Sequence, residues 1–289
     1  MTLSRYLSFT RAEWAPLRGK TPLTLHLAER LKALGWQPGI VSRGYGGSVD
    51  GVEEVCGDTP ASRVGDEPVL LRRRSGCPVF VGAARSAAGR ALLAAYPGCN
   101  LILCDDGLQH YALQRDVEIA VLDRRGAMNG WPLPAGPLRE PLSRLGRVDA
   151  VVQNGGEAPT VPLPNVHRMT LAGERFHRLD DPRLTCGATD LAGKRLHAVA
   201  GIGEPQRFFD HLAALGIVAE GHGFPDHHPY DPGELTFDGD AILTTEKDAV
   251  KFAALGPLPL PVWVLPVTAQ IEPDLARFVS EKLHGPPPA

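Results

Sequence analysis

Short apolar runs without polar alternation recur through the first half of the chain, at residues 38–41, 78–81, 101–104, 117–122 and 148–153. Runs of this kind read as strands buried on both faces, as in a parallel sheet covered by helices. Between them the spacing turns helical. Leu23, Leu27, Leu31 and Leu34 share one face, with Thr21 placed to cap, Pro22 at the first helical position and Gly35 to close. Residues 69–71 and the alanine-rich stretch 83–95 predict two more helices. Strand and helix in alternation predict an α/β fold, a mostly parallel sheet with helices on both faces. The Gly- and Pro-rich stretch 154–164 interrupts the pattern and predicts a division into residues 1–154 and 155–289. Beyond it, strands over 195–200, 217–222, 241–243 and 261–266 alternate with helices ending near 215, 255 and 283, a smaller α/β domain. Residues 1–18 hold Leu3, Tyr6, Leu7, Phe9 and Trp14 without a sustained period, and Pro16 interrupts them. That predicts a frayed or surface-seeking terminus and no strand leading into residue 19.

Composition narrows the field. A chain of 289 residues fits about two domains by the usual ~150-residue rule. Thirty basic residues against 33 acidic ones, net −3, give no global signature of nucleic-acid binding. Cys56, Cys77, Cys99, Cys104 and Cys186 are scattered and never spaced C-x-x-C, which argues against zinc or a disulfide framework and for a reducing compartment. With no 18-residue apolar run and no apolar leader after Arg5, neither a membrane span nor a signal peptide is expected. The expectation is a cytosolic chain.

Candidate chemistry clusters at strand ends. The run 101–104 is followed at once by Asp105, Asp106, Gly107, Gln109 and His110. Ligands of open parallel sheets bind beyond the carboxyl ends of the strands. Adjacent carboxylates there suit a cation, Mg²⁺ with a nucleotide in particular, although an Asp-Asp-Gly turn fits as well. Gly19-Lys20-Thr21 opening a helix is the tail of a phosphate-binding loop. The full signature wants a glycine where Trp14 stands, and Pro16 removes one amide from any phosphate cradle. Asp66, after Gly65, reads by default as a helix N-cap, and Arg72, Arg73 and Arg74 as a solvated helix end. The prolines of 131–141 stiffen the loop that carries Arg139. Gly201-Ile202-Gly203 lacks the third glycine of a dinucleotide fingerprint and reads as turn chemistry. Asp226-His227-His228, with the Asp-rich loops, leaves a metal-dependent phosphoesterase as a rival.

Taken together, Gly19-Lys20-Thr21-Pro22, the 42–47 loop Ser-Arg-Gly-Tyr-Gly-Gly, Gly65-Asp66-Glu67-Pro68, the 105–110 segment, the 133–140 segment, Gly201-Ile202-Gly203, Asp226-His227 and the 243–248 segment Leu-Thr-Thr-Glu-Lys-Asp run in one order. In that order, over roughly residues 19 to 283, they resemble the tetraacyldisaccharide 4′-kinase family of lipid A biosynthesis. The resemblance implies a P-loop NTPase-like fold and transfer of the γ-phosphoryl group of ATP, with Mg²⁺, to the 4′-hydroxyl of a lipid A disaccharide 1-phosphate. It implies a cytoplasmic chain, peripheral on the cytosolic face of the inner membrane. By the same resemblance Gly19, Lys20 and Thr21 hold phosphate, and Thr21, Glu67, Asp105 and Asp106 surround the metal. Gln109, His110 and Arg139 complete the nucleotide pocket, Asp66 is the base for the acceptor hydroxyl, and His227 is its partner. Residues 1–18 depart from the family pattern of an apolar membrane-associating helix, a strand and a full glycine-rich loop. The expectation is therefore a sheet lacking the strand that delivers the loop, and weakened ATP binding at ~3 kcal/mol for each lost amide donor. A non-catalytic pseudokinase is the alternative.

Overall fold

The computed structural model describes residues 5–11 (backbone only), 19–105, 107, 108, 110, 112–126, 128–156 and 163–284. The apolar runs become strands, and the strands sort into two sheets. In chain order they are β1 (Arg5–Arg11), β2 (Pro38–Ser42), β3 (Val52–Glu54), β4 (Val79–Gly82) and β5 (Leu101–Asp105). Next come β6 (Val117–Asp123), β7 (Ala150–Asn154), β8 (Val166–Ala172), β9 (Phe176–Arg178) and β10 (Thr185–Cys186). The last are β11 (Leu196–Ala200), β12 (Glu220–Gly223), β13 (Ala241–Thr245), β14 (Val262–Leu265) and β15 (Thr268–Glu272). The helices are α1 (Lys20–Ala33), α2 (Ala61–Val64), α3 (Asp66–Ser75), α4 (Arg85–Ala95), α5 (Pro205–Ala214), α6 (Glu246–Phe252) and α7 (Leu275–His284).

The larger sheet has the order β15-β8-β7-β6-β1-β5-β2-β4-β3. Its strands are parallel from β8 to β4, and only the edges β3 and β15 run antiparallel. The smaller sheet has the order β10-β9-β14-β13-β11-β12 and is parallel from β14 to β12. The α/β class is as expected. Two features of the sequence-based reading need correction.

The first concerns the front of the chain. β1 lies at the centre of the larger sheet, with Leu7 in register with Leu103 of β5 on one side and Val117 of β6 on the other. Ser8 and Thr10 break its apolar run, so the pattern hides it, although its aromatic and β-branched residues suit a strand. The sheet therefore does have a strand that precedes α1 in the chain. Trp14 and Pro16 lie in 12–18, outside the described residues.

The second concerns the division of the chain. β8, β15 and α7 all belong with the larger sheet, so the sheets part near Ala172 and Thr268 rather than at residue 154. The Gly- and Pro-rich segment connects two neighbouring strands, β7 and β8, of one sheet.

Packing follows the sequence pattern. Leu23, Leu27, Ala28 and Leu31 of α1 are fully buried with Leu101 and Leu103 of β5 and with Leu275, Ala276 and Val279 of α7. Each leucine so buried contributes about 1.5–3 kcal/mol. A separate core under the smaller sheet gathers Phe176, Ala198, Ala200, Leu243, Phe208 and Leu212. α3 of the larger unit packs on α6 of the smaller one, which turns strand ends from both sheets toward a common cleft. Among the described residues no helix is long and apolar enough to cross a membrane.

Candidate active site

Gly19, not Thr21, stands at the N-cap of α1, in a left-handed conformation with φ 106°. A Cβ at this position would come within 2.5 Å of Asn154 Nδ2, so glycine is required by both backbone and packing. Lys20 then begins the helix, and its Nζ lies 3.7 Å from Oδ1 of Asp105, a buried carboxylate at the end of β5. The loop after β5 is pinned by Arg115, which donates to the Leu108 carbonyl at 2.6 Å and pairs with Glu118 at 3.0 Å.

Asp66 opens α3 as its first residue, and the N-cap is Gly65, at φ 90° and ψ 154°. A Cβ on Gly65 would sit 2.5 Å from the Tyr45 carbonyl oxygen, so the 42–47 loop packs directly behind Asp66. The Asp66 side chain, 5% exposed, accepts on Oδ1 from the Glu67 amide at 3.0 Å, with His227 Nδ1 at 3.2 Å. Its Oδ2 is buried, has no hydrogen-bond partner among the described residues, and lies 3.8 Å from Lys251 Nζ. His227 itself has φ 62°, and Tyr45 meets its ring edge-on at 5.2 Å.

Lys247 ties the two units together. Its Nζ lies 2.8 Å from Asp226 Oδ1, 3.6 Å from Glu67 Oε1 and 3.3 Å from His227 Nε2. It stands in the first turn of α6, where the helix dipole disfavours a cation. Burial would lower its ammonium, yet Glu67, Asp66 and Asp226 together hold it above the usual lysine value. Behind it, fully buried Asp248 accepts from the Gly201 amide at 3.0 Å, the Tyr230 hydroxyl at 3.0 Å and Thr245 Oγ1 at 2.7 Å. Burial, then the charge of Asp248, pushes the Tyr230 phenol far up, so it stays a donor. Lys251 bridges Asp248 at 3.2 Å and Asp66. Arg74, from the expected solvated run, pairs with Glu246 of α6.

A cavity of about 270 Å³ opens between the two sheets. Gly19, Thr21 and Glu67 line one side, Glu204, Asp226 and Lys247 the other, and Leu25, Leu70, Ile202, Phe208 and Leu265 give it an apolar wall. Among the expected site residues, Gly19, Thr21 and Glu67 thus share this cavity. Lys20 and Asp105 pair at the α1 end, and Asp66 meets His227 beside Lys247. His110 is half-buried and not part of the cavity wall; burial, then Arg85 and Arg115, lower its imidazole. Arg139 is exposed and also off the wall. Asp106 and Gln109 lie outside the described residues. Lys247 and Asp248 stand in the 243–248 segment that carries the resemblance but had no assigned role, and Lys251 and Tyr230 were not singled out from the sequence. The signal available was a lysine and two acids at the head of a helix directly after a buried strand.

The phosphoesterase reading does not survive this geometry. Asp226 is held by Lys247, His227 by Asp66, and His228 Nε2 by Glu234 at 2.9 Å, so the three do not converge on a metal pair. A mostly parallel sheet, a Gly-Lys-Thr helix start beside a strand-end aspartate, and a second sheet closing the cleft define instead a P-loop-kinase-like α/β protein. The profile of the tetraacyldisaccharide-1-P 4′-kinase family matches residues 18–284, and the chain belongs to that family. It is 53% identical over 270 residues to the tetraacyldisaccharide 4′-kinase of Dechloromonas aromatica (strain RCB), covering 92% of this chain and 80% of that one. To that of Azoarcus sp. (strain BH72) it is 50% identical over 275 residues, covering 94% and 80%. An LpxK crystal structure from Aquifex aeolicus in complex with ATP matches with a TM-score of 0.80 at 26% identity, covering 96% of this chain and 88% of that one. The chain is accordingly an ATP-dependent lipid kinase, a transferase acting on a tetraacyldisaccharide 1-phosphate in lipid A biosynthesis.

Proposed function

We propose that the cleft between the two sheets carries out the 4′-phosphorylation with Asp66 as the base for the acceptor hydroxyl. The observation that carries this reading is the state of the Asp66 carboxylate. Oδ1 already accepts from the Glu67 amide and faces His227 Nδ1, whereas Oδ2 has no hydrogen-bond partner among the described residues. Oδ2 is the atom left to take the proton. His227 orients the carboxylate, and Lys251 offsets its charge from the other side. Phosphoryl transfer asks the protein chiefly for alignment and positive charge around the moving group. Lys20, at the α1 N-terminus, reaches the β/γ-phosphates, and the helix N-terminus adds its own positive end. Gly19 suits the turn into α1 because its backbone is left-handed and a Cβ there would run into Asn154 and Met169. By the family resemblance His110, Gln109 and Arg139 would serve the nucleotide and its phosphates.

The oxygen-only donors Asp105, Asp106, Thr21 and Glu67 suit a hard cation, and the buried carboxylate of Asp105 favours one. Bound there, Mg²⁺ would supply charge neutralisation at the β- and γ-oxygens. The apolar wall of Leu25, Leu70, Ile202 and Phe208 offers a surface for the lipid acceptor. A lipid acceptor calls for contact with a membrane surface, and with ATP as donor we assign that contact to the cytosolic face of the inner membrane, with the chain attached peripherally.

The test is label transfer from γ-labelled ATP to a lipid A disaccharide 1-phosphate in mixed micelles. Wild type should transfer in a Mg²⁺-dependent way. Asp66→Asn should lose ~10²–10⁴-fold in kcat, the range for a missing general base, with Mg-ATP affinity unchanged. Full turnover by that variant removes Asp66 from the mechanism, and a wild type that fails to bind Mg-ATP favours the non-catalytic reading.

A further inference from the structure

A second cluster of ligand-type side chains lies away from the cleft, at the outer edge of the smaller sheet. β12 is the edge strand, and its register against β11 pairs His197 with Glu220 and Val199 with His222. Alternate residues share a face, so His197, Glu220 and His222 point to the same side of the two-stranded ribbon. The other side belongs to α5, because a Cβ on Gly221 would meet the Phe209 ring at 3.1 Å. On the histidine side, His197 Nδ1 lies 3.1 Å from His222 Nε2 and 3.6 Å from Glu220 Oε2, and His222 Nε2 lies 3.9 Å from Glu220 Oε1.

The surroundings resemble the setting of a metal ligand. His197 is buried, and its far nitrogen Nε2 faces the Asp238 carbonyl at 3.2 Å. Nε2 therefore carries the proton and Nδ1 presents its lone pair to the cluster, the orienting hydrogen bond usual for ligating imidazoles. Phe237 stacks on both rings, at 4.5 Å from His197 and 4.4 Å from His222, and fixes their planes. Gly239 allows that approach, since a Cβ there would stand 2.8 Å from His197 Nε2.

We propose that His197, His222 and Glu220 bind one first-row divalent ion, with Zn²⁺ as the favoured occupant. Two Zn–N bonds of ~2.0–2.1 Å span the observed nitrogen separation at an angle of ~100°, within reach of a tetrahedral site. Two imidazoles and one carboxylate are borderline donors, suited to zinc and unlike the oxygen set proposed for Mg²⁺ at Asp105. Glu220 is 65% exposed on its side chain, so its carboxylate has room to close the remaining distance. Water would complete the coordination on the open side. The ion would staple the edge strand β12 to β11. β12 runs directly into the loop that carries Asp226 and His227, so the staple would hold the sheet side of that loop. The cysteine spacing that argued against zinc does not bear on this site, because no cysteine takes part.

The same nitrogen separation also suits a direct imidazole–imidazole hydrogen bond, and the experiment separates the two. The full chain is stripped with chelator, dialysed against Zn²⁺ or Co²⁺ and assayed for bound metal by atomic emission, for visible d–d absorption and for Tm. Wild type should retain one ion per chain, show cobalt bands and melt higher as Zn²⁺ is added. His222→Gln and Glu220→Gln, both at solvent-reaching positions, should fold to the same circular dichroism spectrum. His222→Gln should lose the bands and the Zn²⁺-dependent rise in Tm, and Glu220→Gln should bind more weakly. Retention of the ion and bands in His222→Gln overturns the proposal. So does a wild type that binds no more metal than His222→Gln, which leaves the direct hydrogen bond only.

Discussion

At Asp66 burial and neighbours act in opposite directions. Burial would raise the carboxyl, but the His227 hydrogen bond and the charges of Lys247 and Lys251 hold it below its ordinary 3.8. On the other side of the pair, Asp66 raises the His227 imidazole above its ordinary 6.5, against burial and Lys247. The depressed acid stabilises the fold above pH 3.8 and loses that contribution as pH falls through its lowered value. The raised imidazole stabilises fully below pH 6.5 and loses its contribution as pH rises through its elevated value. Denaturant unfolding should therefore show wild type losing stability above pH 6.5 relative to His227→Gln, and equal alkaline slopes in the two proteins would contradict the pairing. Lys247→Met leaves Asp226 and Glu67 without their cation, and urea unfolding should register a loss of about 1–3 kcal/mol. Asp66 and His227 were legible through the order of motifs around them. Lys247 stood in the 243–248 motif without a role and Lys251 outside any motif, because a lysine on a predicted helix reads as a solvated face until the fold brings acids against it.

At the scale of elements, the position of α3 depends on Gly65. Its φ of 90° and the 2.5 Å approach to the Tyr45 carbonyl leave no room for a side chain. Gly65→Ala should cost about 1–3 kcal/mol and lower kcat with it, because Asp66 is the next residue. Gly35→Ala is the control, with φ of 91° but nothing within 4 Å of the added Cβ. It should destabilise less and leave kcat unchanged; equal effects at both glycines would remove the packing argument. α1 and β5 could be read in advance because their apolar spacing is dictated by burial on known faces. β1 could not, since Ser8 and Thr10 interrupt it and its position is set by pairing with β5 and β6. β15 was missed for a different reason: it is a half-buried edge strand whose short alternation, Ala269 and Ile271 inward, follows closely on another strand.

At the scale of the whole molecule, the chain leaves the larger sheet after β8 and returns to it at β15. The two crossings run side by side, with Gly173 so close to the Pro266 carbonyl that a Cβ would come within 2.3 Å. No composition shift marks such a return, because it is decided by which edge of the sheet remains open. The arrangement puts Asp66 on one unit and His227, Lys247 and Lys251 on the other, so the Asp66–His227 pair exists only when both units are in place. The most direct measurement of that claim is a double-mutant cycle on kcat for lipid phosphorylation, using Asp66→Asn, His227→Gln and the two combined. If the pair acts as one unit across the cleft, the combined variant should be no slower than Asp66→Asn alone. Losses that multiply, or a His227→Gln enzyme with full turnover, would show that the two residues do not work together.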